Sequence, residues 1–291
     1  MTTIQTNDGS QYRKPTIMTT AGAVLTGGLI QETASACSGF SSYPLINRMR
    51  KLNNPADSTK IGIALQNALN KSGLKDTVEI INFKSEKNYK NILDLLKDSF
   101  KKIRTGQSTF SYEYIQSFNN MIKEGFNAGF SPVGNKVLIN TEKMGLAGFH
   151  EIGHAINFNK SKFWKALHIY NAGKFSLAIS GMLALTALLK RPKAEGEQPT
   201  GTFDKVTTFI KNNVGKLTFA AALPMVAEEI MASARGNKLA KELLKPELYE
   251  KVVKSNKYGA ASYVGMALLL SVGAYAANKV RDAIAHPKQV A

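Results

Sequence analysis

Gly145 to Asn157 reads GLAGFHEIGHAIN and holds the pattern HExxH as His150, Glu151 and His154. Residues four apart on a helix share a face, so both imidazoles can reach one cation while Glu151, one step round, points at a water beside it. Zinc takes neutral nitrogen or oxygen ligands near tetrahedral geometry, and with one position open it lowers the pKa of a held water toward about 7. The pattern therefore predicts a zinc hydrolase in which His150 and His154 hold Zn²⁺ and Glu151 is the catalytic base. With four His and fourteen Glu in 291 residues, chance produces HExxH in roughly one random chain in four hundred. Leu146, Ala147, Phe149, Ile152, Ala155 and Ile156 are apolar and mostly good helix formers, which predicts a buried helix. The competing reading is a buried histidine pair satisfied by hydrogen bonds alone.

The formal charge of +17, from 38 Lys and Arg against 21 acidic residues, favours anionic surfaces, either nucleic acid or the cytoplasmic lipid leaflet. The basic residues are spread along the chain, with no compact patch of interleaved aromatics and no zinc-finger or RNP-type pattern, so nucleic acid is not expected as a partner. Cys37 is the single cysteine. It excludes an internal disulfide framework, and the metal ligands are expected to be His and carboxylate.

Four regions follow from the pattern of the chain. Residues 1–40 form a polar and then weakly hydrophobic amino-terminal segment. Residues 1–14 are expected to lack structure, Pro15 to Gln31 is an uncharged stretch suited to a signal segment or a weak membrane helix, and Ala34 to Cys37 resembles a degraded lipobox. Residues 41–126 read as a small α+β region, with helices at Ser58 to Ser72 and Lys87 to Arg104, a strand at Thr77 to Phe83, and a further helix at Tyr112 to Phe126. Residues 127–245 hold the HExxH helix, preceded by a turn at Pro132, Gly134 and Asn135 and a strand at Lys136 to Asn140. That strand is either a sheet edge that a substrate peptide can extend or an ordinary core strand. Residues 246–291 carry a third apolar block and a basic tail.

Apolar blocks run from Phe175 to Leu189, Leu217 to Ala227 and Tyr258 to Asn278, with the loop Arg191 to Gly201 between the first two. Only the third is long enough by itself for a hydrocarbon core of about 30 Å. The first two gain length if flanking lysines and aromatics snorkel, or they form a helical hairpin buried in protein.

Two histidines need a third ligand. The pattern HExxHxxGxxH would require Gly at 157 and His at 160, and the chain has Asn157 and Lys160, which excludes a third-histidine site of that type. His168 and His286 read as surface histidines. LPMVAEEIMASARG at Leu223 to Gly236 offers two carboxylates, Glu228 and Glu229, and adjacent acids at the end of an apolar run are costly unless a cation meets them. A helix cap, or pairing with Arg235 and Lys238, is the alternative use of these acids.

From about Asn127 to Leu244 the chain resembles the membrane-bound gluzincins that include HtpX and the CAAX prenyl proteases. In that family a strand leads into HExxH, two hydrophobic helices follow, and the second delivers a glutamate with Ala three residues later and Asp four later. Glu229 with Ala232 matches, while Ser233 stands at the position of the Asp. The resemblance implies a mainly α (α+β) zincin-like metallopeptidase module with a short sheet and transmembrane helices, and Glu229 as third ligand beside His150 and His154. The face of Glu229 agrees: Ala222, Val226, Ala232, Ser233 and Gly236 are small enough for close helix approach, whereas Glu228 shares its face with Pro224, Met231 and Arg235. Ser233 in place of Asp predicts a weaker outer shell.

The function expected is thus an integral membrane zinc endopeptidase acting on protein or peptide substrates, with membrane lipids as further partners. A non-catalytic membrane scaffold or inactive peptidase homologue is the alternative. His168, Tyr170, Arg235 and Tyr258 are all chemically able to steady an oxyanion, and spacing selects none.

Overall fold

The computed structural model describes all residues except 1–2, 6–10, 14–16, 86–88, 90–91, 108–115, 117–118, 173–174, 192, 194–195, 286–287 and 290–291. The protein is mainly helical, and its contacts divide it into two compact units. One comprises residues 41–172 and 225–264, the other residues 1–40, 173–224 and 265–291.

The first unit holds the HExxH segment. Ile61, Leu65, Ala68 and Leu69 recur at helical spacing on Ser58–Lys71 and are buried. They pack with Val137, Ile139, Leu146, Phe149 and Ile152 in one core, which Leu239, Ala240 and Val252 complete. A fully buried Phe, Ile or Leu contributes about 1.5–3 kcal/mol each, so this core, rather than local propensity, holds the histidine helix Gly148–Lys160 in place.

Beside it lies a three-stranded sheet. Lys136–Ile139 is its central strand, parallel to Glu79–Asn82 and antiparallel to Gly129–Ser131. The possibility that Lys136 to Asn140 forms a sheet edge is therefore overturned. The edges are Glu79–Asn82 and Gly129–Ser131, and the alternating burial of Val137 and Ile139 is that of a core strand. Gly134 and Asn135 turn the hairpin with positive φ, 78° and 49°, a conformation that Gly and Asn adopt at least cost. Asn140 then redirects the chain: its side-chain oxygen accepts from the amides of Glu142 and Lys143, both at 3.1 Å, and caps the short helix Thr141–Met144 ahead of the histidine helix.

Several expected boundaries shift. Of the helix expected from Lys87 to Arg104, Ile92–Arg104 is helical, and 86–88 and 90–91 lie outside the described residues. Much of Tyr112 to Phe126 lies outside the described residues, and within it 119–123 are helical. In the second unit, residues 1–14 are not without structure. Thr3–Gln5 pairs with Gln11–Arg13, which pairs in turn with Lys288–Gln289. Pro15 to Gln31 falls largely within a helix, Ile17–Ser41.

Leu217 to Ala227 is the middle of a 43-residue helix, Gly201–Leu243, and Tyr258 to Asn278 of a 40-residue helix, Pro246–Ala285. Both are long and apolar enough to cross a membrane, so the second apolar block qualifies as well as the third. Phe175–Leu189 is a separate helix of 15 residues. In the second unit Ala184, Ala187, Val214 and Ala274 form a small core, while Phe175, Leu185, Phe203, Phe209, Leu268 and Val272 are exposed.

Candidate metal centre

Two helices of the first unit build the site. The histidine helix contributes His150, Glu151 and His154, all buried, and the helix Gly201–Leu243 contributes Glu228, Glu229 and Ser233, also buried. Their backbones touch because two glycines lack side chains at the crossing. A Cβ on Gly153 would lie 2.0 Å from the carbonyl oxygen of Ala232, and one on Gly236 would lie 2.4 Å from that of Phe149. No side chain fits such a gap, so Gly153 and Gly236 set the separation from which a short carboxylate reaches the imidazoles.

At that separation three donor atoms converge. His150 Nε2 is 2.9 Å from His154 Nε2 and 3.0 Å from Glu229 Oε2, and His154 Nε2 is 3.4 Å from the same oxygen. Tetrahedral ligands at about 2.0–2.1 Å from zinc stand roughly 3.3 Å apart, so these spacings suit one small cation to within a few tenths of an ångström. The other nitrogens decide the protonation. His154 Nδ1 donates to Glu228 Oε1 at 2.8 Å, and His150 Nδ1 lies 3.0 Å from Ser233 Oγ. With protons on both Nδ1 atoms, two Nε2 lone pairs and a carboxylate oxygen face one point. Such a donor set requires a positive charge at its centre, and the buried His/Glu group can hold a metal ion.

Charge balance supports the same conclusion. Burial on its own would lower the pKa of His154, but the charge of Glu229 and hydrogen bonds to Glu228 and Glu229 outweigh it, leaving the pKa well above the usual histidine value. A proton thus serves as the alternative cation. Burial raises the pKa of Glu151, against the opposing effect of His150 and His154.

The sequence readings of Glu228 and His168 need correction. Glu228 does not cap a helix in water, and Arg235 feels its charge only through space, with no ion pair between them among the described residues; Glu228 is buried, and one oxygen accepts from His154, from His168 Nδ1 at 3.3 Å and from the Asn157 amide at 2.9 Å. His168 is no surface histidine, since it is buried against Phe130, Phe158 and His154 with ring centroids 5.5–5.8 Å away. His154, His168 and Glu228 also lie close enough to hold an ion. The amide of Asn157 only donates, however, and with the two imidazole contacts it occupies Glu228 Oε1, so this cluster orients His154 in the manner of a carboxylate behind a metal-ligating histidine. The outer shell expected to be weakened by Ser233 is therefore divided, with a hydroxyl behind His150 and a carboxylate behind His154.

Sequence reasoning missed Tyr263. It lies on Pro246–Ala285 and hydrogen-bonds to Glu229. Tyr258, one of the residues considered as an oxyanion donor, instead lies under the guanidinium of Arg48, 5.9 Å from the ring centroid. No local signal distinguishes Tyr263 from the other nine tyrosines; only the packing of its helix does. His286, the remaining histidine, lies outside the described residues. Compared with models of protein families, with curated proteins and with solved structures, the chain matches none, so what the centre does has to be argued from its own atoms.

Proposed function

We propose that the chain is a membrane-associated zinc endopeptidase of zincin-like fold, similar to the membrane-bound gluzincins. The observation that carries this reading is the convergence of His150 Nε2, His154 Nε2 and Glu229 Oε2 within 2.9–3.4 Å of one another beside Glu151. His150, His154 and Glu229 would hold Zn²⁺, which when bound supplies a water of lowered pKa and a polarised substrate carbonyl. Glu151 takes the proton of the attacking water, and its raised pKa brings it closer to neutral pH, where a general base works best. As the water oxygen bonds to the carbonyl carbon and the C–N bond breaks, Glu151 returns that proton to the leaving amine. Tyr263 supplies a phenol for the oxygen that gains charge.

The sheet supports a peptide as the substrate class. Gly129–Ser131 has one edge unpaired in the three-stranded order, and an extended peptide can add to such an edge through its main chain. Two apolar helices of 43 and 40 residues, together with exposed Phe203, Phe209, Leu268 and Val272, support a lipid environment.

The test is metal content measured together with cleavage of an unstructured protein such as casein. Wild-type chain should carry about one zinc and cleave. His150→Ala and Glu229→Gln should lower zinc affinity by roughly a thousandfold or more, and Glu151→Gln should keep the metal and lose turnover. Full zinc in His150→Ala would refute the ligand set. Zinc without cleavage in the wild type would make the chain a non-catalytic scaffold.

A further inference from the structure

A cavity of about 400 Å³ in the HExxH-bearing unit is lined by Asn47, Arg50, Lys51, Asn53, Glu142 and Lys143. It involves none of the proposed metal ligands, and its charges are unevenly matched. Lys143 is neutralised from behind by the buried Glu124, 3.1 Å away. Glu142 is exposed and is the one acid of the lining. Arg50 has no carboxylate in direct contact: Glu124, engaged by Lys143, acts on it only through space, and among the described residues no hydrogen bond or ion pair reaches its side chain, which lies over the Phe126 ring with its guanidinium carbon 4.0 Å from the centroid. The Asn47 amide is likewise without a partner there, whereas Asn53 is occupied by the Leu146 amide and the Met49 carbonyl.

Stacking on an aromatic face fixes a guanidinium without neutralising it and leaves its in-plane N–H groups free. Arg50 is therefore oriented in advance for a planar or tetrahedral oxyanion that it can grip with two parallel hydrogen bonds. Lys51 and Asn47 add donors on the same lining, a set that matches a group with three or more oxygens better than a single carboxylate. The helix that carries all three, Tyr43–Leu52, buries no side chain completely and follows the helix Ile17–Ser41 after one residue. The chain carries two helices long and apolar enough to cross a membrane, so a lipid headgroup is one source of such a group.

We propose that this cavity binds a phosphate group, gripped by Arg50 with Lys51 and Asn47, whether on an anionic phospholipid or free in solution. The proposal does not depend on the peptidase reading. The test uses the full chain in neutral detergent, titrated with inorganic phosphate, and in nanodiscs of phosphatidylcholine with or without phosphatidic acid, with binding followed by calorimetry and by native mass spectrometry. Arg50→Gln should lower affinity at least tenfold, Arg50→Lys nearly as much because the fork and the stacking are lost, and Glu142→Gln should raise it. Loss confined to the nanodisc arm identifies a lipid headgroup as the source, and loss in the phosphate titration identifies free phosphate. Lys101→Gln, the same charge change on the basic helix Ile92–Arg104, is the control, and the melting temperature of each variant checks folding. Equal losses for Arg50→Gln and Lys101→Gln would reduce the effect to general charge and overturn the site, as would an unchanged affinity in a folded Arg50→Gln.

Discussion

The two compact units both bury charge, and they do so with opposite sign. In the unit with the histidine helix, the Glu229 carboxylate and the lone pairs of two imidazoles surround one point, with the Glu228 carboxylate behind His154, an arrangement with too many acceptors. In the other unit Lys211, Arg281 and Asn278 are buried beside the half-buried Asp282. Lys211 donates to Asp282 and, at 2.8 Å, to Asn278 Oδ1, and Arg281 donates to the Leu188 carbonyl at 2.9 Å and to Asp282 at 3.2 Å, with one guanidinium nitrogen, Nη2, left without a partner among the described residues. A cluster with a surplus of donors answers the cost of burial by tying helices together through side chains and carbonyls. A cluster with a surplus of acceptors needs something from outside the chain, and that difference marks the first as a site and the second as a structural tie.

The comparison breaks most severely at Gly153. A methyl group there meets the Ala232 backbone rather than a movable side chain, so Gly153→Ala should force the helices apart, abolish zinc binding and cost about 3 kcal/mol or more of stability. Metal analysis and denaturant unfolding of the purified variant check both effects. Wild-type zinc content in Gly153→Ala would show that close approach is not what assembles the acceptors.

Asp282→Asn tests the other cluster. Asp282 is half-buried but answers two buried cations, so its loss should cost about 1–3 kcal/mol and lower the thermal midpoint while zinc stoichiometry stays at that of the wild type. Parallel loss of zinc would mean that the two clusters are not independent.

Glu228→Gln sharpens the assignment within the acceptor cluster. Although Glu228 lies on a different face of its helix from Glu229, the structure puts its carboxylate behind His154. Zinc affinity should fall about 10–100-fold, as for other outer-shell partners of a ligating histidine, and a competition titration that finds less than a threefold change would separate Glu228 from the metal.

The smallest effect is that of pH. With the pKa of His154 raised, a proton would compete with the proposed zinc for the same ring, so zinc affinity should drop by up to about tenfold per pH unit below the folded-state pKa. Without metal the sign of stability is the opposite one. The contribution of His154 is complete below its unfolded value of about 6.5 and is lost as pH rises through the raised folded value. Thermal unfolding in chelator should therefore weaken toward high pH where zinc-loaded protein strengthens, and identical profiles with and without zinc would remove His154 from the ligand set.

Much of this site was legible from short-range pattern. HExxH, the small residues around Glu229 and the apolar blocks all declare themselves within one or two helical turns, and the structure brings His150, His154 and Glu229 together. What stayed hidden depends on partners far along the chain. The central position of Lys136–Ile139 comes from parallel pairing with Glu79–Asn82, which no local residue announces. The Glu228 to His168 contact and the approach of Tyr263 to Glu229 likewise depend on how separate helices pack. The length of Gly201–Leu243 was underestimated because its first four turns are polar enough to hide beside an apolar block.

The separation of His150 from Glu229 by 79 residues also has a kinetic consequence. The acceptor cluster comes into being only once the chain beyond the second helix has been made and the loop between the ligands has closed, a long-range step of the kind that slows folding. Interactions completed after the folding barrier act on the reverse rate. Zinc should therefore leave refolding speed nearly unchanged and lengthen the lifetime of the native state, making the ion a latch on unfolding rather than a nucleus for folding.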